Sequence, residues 1–112
     1  MHQRAHDRYS PRSTIEIVNT LDGKAVGVLV NISSEGFMIV SEGDHPGPGT
    51  IHQLQLLDHK KEVPEITLGA TCLWQEEASA SDSYWCGFQI IDISSKDRKT
   101  LDDYIKFLKD SI

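Results

Sequence analysis

From residue 12 onward the chain alternates apolar and polar positions in short runs rich in β-branched residues, separated by turn-forming clusters. Thr14 to Val18 is the first run, and Leu21-Asp22-Gly23-Lys24 follows it as a turn whose Asp-Gly pair signals a tight hairpin. Ala25 to Val30 and Gly36 to Val40 predict a second and a third strand. Glu42 to Gly49 holds three glycines and two prolines and reads as a loop. Thr50 to Leu57 is a fourth strand, closed by the polar turn His59-Lys60-Lys61-Glu62. Two longer strands complete the set, from about Glu65 to Gln75 and from Tyr84 to Ile93, joined by the serine-rich link Glu76 to Ser83.

The period of two assigns faces. In the last strand Tyr84, Cys86, Phe88 and Ile90 share the face expected to enter the core, while Trp85, Gly87, Gln89 and Ile91 share the other. The period then changes. Ser94 or Ser95 caps a helix carried by Lys96 to Lys109, with Asp97 in the first turn where negative charge is favoured. Leu101, Ile105 and Leu108 form its apolar stripe, with Tyr104 beside them. Six short antiparallel strands in so small a chain favour closure, because an open sheet of that size leaves edges to protect. The expected fold is mainly β: a six-stranded antiparallel barrel with a C-terminal α-helix.

Length and charge narrow the functions. A chain of 112 residues fits one domain with one core. No apolar run approaches membrane-crossing length and no secretion signal opens the chain, so a cytoplasmic protein without direct membrane insertion is expected. The net charge is -6, yet three of the four arginines, Arg4, Arg8 and Arg12, fall in the first twelve residues, where only Asp7 opposes them. That arm carries +2 and residues 13–112 carry -8. A cationic segment on an acidic body suits one small anionic ligand and argues against DNA or RNA, which need a broad cationic footprint. Residues 1–12 therefore read as a flexible arginine arm, and residues 13–112 as the barrel with its helix.

Other chemistry is sparse. Cys72 and Cys86 lack metal-ligand spacing, and two cysteines are too few for a disulfide scaffold. They read either as reduced thiols lining the core or, if their strands pair as a hairpin, as a cross-strand disulfide. The five histidines are scattered, and no metal site or cofactor is expected. No segment assembles nucleophile, base and orienting group, so the chain is not expected to be an enzyme.

Two segments point to one site. Arg4-Ala5-His6-Asp7-Arg8 places two arginine forks four residues apart, suited to bidentate contact with phosphate or a base edge. Asn31-Ile32-Ser33-Ser34-Glu35-Gly36 lies between the second and third strands: Asn31 and Ser33 offer polar side chains, Ile32 can anchor the loop, and Gly36 accepts unusual dihedrals. Together these segments resemble the PilZ domain family, marked by an N-terminal Arg-x-x-x-Arg and an Asp/Asn-x-Ser-x-x-Gly motif. Trp85-Cys86-Gly87-Phe88-Gln89-Ile90-Ile91-Asp92-Ile93 looks like the closing strand of that family, and the resemblance spans essentially the whole chain.

The resemblance implies a receptor for the bacterial second messenger cyclic di-GMP. Arg4 and Arg8 would bracket the nucleotide, Asn31 and Ser33 would contact it from the barrel surface, and Gly36 would keep the loop's shape. The chain departs from the family pattern at Gln3, where members often carry a further arginine, and at Asp7, an anion between the two forks. Ordering of the arm across the barrel would pass the signal to an unidentified downstream protein, as an adaptor. The alternative implied by the family is an interaction module that binds no nucleotide. The apolar tail stripe fits packing on its own barrel and equally a homodimer.

Overall fold

The computed structural model describes residues 7–42, 46–79 and 82–110. Six strands, β1 (Ile15–Asn19), β2 (Ala25–Ile32), β3 (Gly36–Glu42), β4 (Ile51–Asp58), β5 (Ile66–Glu77) and β6 (Ser83–Asp92), precede one helix, α1 (Ser95–Asp110). All neighbours pair antiparallel, and the order β1-β2-β3-β6-β5-β4 closes into a barrel. The expected fold is the observed one. The Asp22-Gly23 turn forms as its sequence requires: Gly23 has φ 74°, a region open to glycine, and Asp22 accepts the Lys24 amide on its side chain.

Alternation fills the barrel. Ile15, Ile17, Leu54, Leu56, Ile66 and Leu68 point inward from one half. Phe37, Ile39, Cys86, Phe88 and Ile90 do so from the other, with the rings of Phe37 and Phe88 stacked at 5.2 Å between β3 and β6. Both cysteines are free and buried, which settles them as core thiols. Burial pushes the Cys86 thiol up to about 11, with the nearby Cys72 adding to the effect.

Helix α1 seats Leu101, Tyr104 and Leu108 in the core, while Ile105 takes the flank. Leu101 and Leu108 of the expected stripe are buried, and Tyr104 and Ile105 exchange places, because the helix meets the barrel with its 101–104–108 edge. Ser94 is the cap: its hydroxyl accepts the Asp97 amide at 3.1 Å and donates to the Asp97 carboxylate at 2.9 Å. The same carboxylate accepts the Thr67 amide of β5, so the cap also ties helix to barrel.

Asp58, at the end of β4, organises the neighbouring loop. Its buried carboxylate accepts the amides of Lys60, Glu62 and Val63 and the Ser13 hydroxyl. Burial alone would raise its pKa, but these four donors outweigh it and hold the carboxyl below the usual carboxylate range.

Candidate functional site

Two β-bulges build the outer face of the site. Strict alternation would send Asn31 inward with Leu29, but the β2–β3 register slips between them, so Ile32 fills the core and Asn31 faces outward opposite Met38. In β5 the register slips between Cys72 and Trp74, leaving Leu73 and Trp74 both exposed. One register row then crosses four strands: Asn31 on β2, Met38 on β3, Gly87 on β6 and Trp74 on β5. Asn31 and Gly87 are two strand spacings apart, about 10 Å. The Trp74 indole lies over Gly87, in the space a Cβ there would occupy.

The arm meets the row at its Asn31 end. Tyr9 forms an antiparallel bridge with Ile32, each amide donating to the other's carbonyl at 2.9 Å. That pairing places Arg8 beside the barrel wall, where its Nη1 donates to Asn31 Oδ1 at 3.2 Å. Four residues on, the Arg12 guanidinium sits 5.7 Å above the centroid of Phe107 on α1, a cation–π contact. Ser13 then reaches Asp58 at 3.0 Å. Residues 8–13 therefore form a strap fastened to β2, α1 and β4 in turn.

Ser33 shapes the turn that follows Asn31. Its hydroxyl accepts the amides of Glu35 and Gly36, at 3.3 and 3.2 Å, and donates to the Gly36 carbonyl at 3.2 Å. One donor and two acceptor sites are all a hydroxyl has, and all three are used within the turn. Gly36 is required by close approach, since a Cβ would strike the Phe88 carbonyl oxygen of β6.

Of the residues expected from sequence, Arg8, Asn31, Ser33 and Gly36 are thus gathered at one end of one barrel face. Arg4 lies outside the described residues. Trp74, Met38 and Arg98, whose Nη1 donates to the Ser34 carbonyl of the turn at 2.6 Å, join the site without having been singled out beforehand. Trp74 carried no local signal of exposure: alternation from Cys72 sends it inward, and its outward aim depends on the bulge. Among the described residues no three His, Cys, Asp or Glu side chains are grouped to hold a metal ion, and no helix is long and apolar enough to cross a membrane.

A six-stranded closed barrel, capped by one terminal helix and strapped by an arginine-bearing arm, defines a class of small β-barrel domain. The PilZ domain model matches residues 2–107, and the chain belongs to the PilZ domain family. No curated protein matches it in sequence. Solved structures match in fold. The Bacillus subtilis inhibitor of motility (MotI/DgrA) superposes with a TM-score of 0.75 at 16% identity, over 100% of this chain and 54% of that one. The PilZ domain of YcgR from Escherichia coli, solved with c-di-GMP, gives 0.75 at 15% identity over 98% of this chain and 94% of that one. The MrkH–c-di-GMP complex of K. pneumonia gives 0.79 at 13% identity over 99% of this chain and 54% of that one. The chain thus spans about half the length of MotI/DgrA and of MrkH.

Proposed function

We propose that this chain is a cyclic di-GMP receptor that changes shape on binding and signals to a partner protein. The observation that carries the reading is the Arg8–Asn31 hydrogen bond, which brings the arginine arm and the Asn-x-Ser-x-x-Gly turn to one surface. YcgR and MrkH, which share the fold, have been solved with that nucleotide.

The surface suits the ligand's chemistry. Arg8 offers a fork to a phosphate or to the acceptor edge of guanine, and Arg4, on the same arm, would supply the second. Asn31 already orients Arg8 and presents an amide to the same ligand. Ser33 and Gly36 hold the turn, and Ser33 contacts the ligand only if it gives up one of its internal bonds. At the far end of the row, the exposed face of Trp74 is a stacking surface for a purine, an interaction worth about 1–3 kcal/mol per base. Engagement of Arg8 by phosphate would pull on the strap, and with it on Arg12 against α1, which is how occupancy would reach a partner.

Calorimetric titration with cyclic di-GMP tests the reading, with Arg8→Ala as control and GTP as competitor. Saturable micromolar binding that is lost in Arg8→Ala and indifferent to GTP is the expected result. Absence of heat, together with an unchanged melting temperature at high ligand concentration, would leave a nucleotide-independent interaction module instead.

A further inference from the structure

We infer that Arg98, on the first turn of α1, is a positioning residue for the ligand-binding turn, which makes the terminal helix part of the binding apparatus. This deepens the receptor reading and rests on it.

The argument turns on two successive peptide planes. A trans peptide points its carbonyl and its N–H in opposite directions, and no peptide bond among the described residues is cis. In the plane joining Ser34 to Glu35, the Ser34 carbonyl accepts Arg98 Nη1 at 2.6 Å, while the Glu35 N–H points the other way, to Ser33 Oγ at 3.3 Å. In the next plane, the Glu35 carbonyl accepts the Ile90 amide of β6 at 2.9 Å, while the Gly36 N–H goes to the same Ser33 oxygen at 3.2 Å. Each carbonyl is held from outside the turn, and each amide is thereby aimed at Ser33.

The two holds differ in kind. Ile90 donates from the main chain at the end of β6. Arg98 donates from a side chain 64 residues away in sequence, and it is charged, so its bond is the stronger type. Asp102, one helical turn further along, lies 3.7 Å from the same Nη1 and steadies the guanidinium. Without Arg98 the Ser34–Glu35 plane loses its outer tether and is free to rotate. Ser33 then loses one of its two donors, and Asn31, two residues before it, loses the fixed turn that follows it. Arg98 also sets a positive charge behind the turn that would face an anionic ligand. The influence runs both ways: a ligand that shifts the turn shifts a bond anchored in the first turn of α1.

The test uses the full chain and three variants, Arg98→Met, Arg98→Lys and Asp102→Asn, each titrated with cyclic di-GMP by calorimetry. In parallel, the Glu35 amide is followed by nitrogen–proton correlation spectra and hydrogen exchange without ligand. Arg98→Met is expected to weaken binding by up to roughly tenfold, because an untethered turn must be ordered at the moment of binding, and to strip protection from the Glu35 amide. Arg98→Lys should recover part of both effects, because an ammonium can reach the carbonyl without the planar fork. Asp102→Asn should shift them in the same direction but less. If the unaltered chain binds no dinucleotide yet Glu35 loses protection in Arg98→Met, the receptor reading fails and the positioning role stands. Wild-type affinity in Arg98→Met with an unchanged Glu35 amide would overturn the inference. So would a loss of affinity that leaves the Glu35 amide untouched.

Discussion

The indole of Trp74 lies where the side chain of any residue other than glycine at position 87 would stand. Gly36 is equally crowded, but by the main chain of β6 at Phe88. The two glycines therefore respond differently to the same added methyl group. Gly87→Ala should push the half-exposed indole off the barrel at little cost in stability, seen as a red shift of Trp74 emission in a Trp85→Phe background. Gly36→Ala cannot be relieved by a side-chain movement, and about 1–3 kcal/mol of stability should be lost in chemical denaturation.

Arg8 is placed by Tyr9 and bonded to Asn31, at a half-buried position on the barrel surface. Arg8→Ala should change thermal stability by no more than about 0.5 kcal/mol, as ordinary surface substitutions do. The same variant should abolish the calorimetric signal of cyclic di-GMP, and Arg8→Lys should not restore it fully, because an ammonium lacks the fork. A parallel fall in melting temperature and in affinity would assign Arg8 to the fold instead.

Asp58 sets an acid limb on stability. Its folded pKa is depressed, so its contribution is complete above the unfolded carboxylate value and is lost as pH falls through the folded one. Stability measured against pH should therefore decline below about pH 4. Asp58→Asn should flatten part of that decline. It should also destabilise the protein at pH 7 by about 1–3 kcal/mol, since an amide nitrogen cannot accept the bonds that the second carboxylate oxygen takes from Glu62 and Val63. A wild-type stability at pH 7 in that variant would remove Asp58 as the organiser of its loop.

Tyr104 is 5% exposed, and its hydroxyl is buried with no hydrogen-bond partner among the described residues. Burial, helped by the charge of Asp58, pushes its pKa up to about 12. Tyr104→Phe keeps the ring in the core and removes the unpaired group. The unfolding free energy from chemical denaturation should stay equal or rise, by up to about 1 kcal/mol. A marked loss of stability would show that the hydroxyl is bonded in solution.

Cys72 and Cys86 should be silent to thiol reagents in the folded state. Both are buried, and desolvation keeps both in the thiol form at neutral pH. Reaction with a chromogenic disulfide should wait for denaturant and then count two thiols. Rapid reaction of either under native conditions would mean that the barrel opens on the experimental timescale.

The strand count, their sequence order and the tail helix were legible in the alternation, because each follows from a local period. Of the motif turn, Ser33 was legible, since its hydroxyl bonds the turn's own main chain, whereas Gly36 adopts no positive φ and is required by the approach of β6. What escaped was phase. Extending the alternation through Val30 and Leu73 sends Asn31 and Trp74 inward, and only the bulges, which depend on pairing with β3 and β6, turn them out. Asn31 and Ile32 were read as loop and are strand residues, again because a partner strand extends β2. Arg98 and Asp58 escaped for a related reason. Their roles are contacts across 64 and 45 residues, which no local pattern encodes.

Because the six strands close on themselves, β2 has little main chain to share with anything else. It outruns β1, however: β1 pairing reaches only Val28, and Ile32 exchanges its amide and carbonyl with Tyr9. Tyr9 thus occupies the main-chain position beside Ile32 that any further strand would need. Whatever lifts Tyr9 away leaves two main-chain groups of Ile32 unclaimed beside the motif turn.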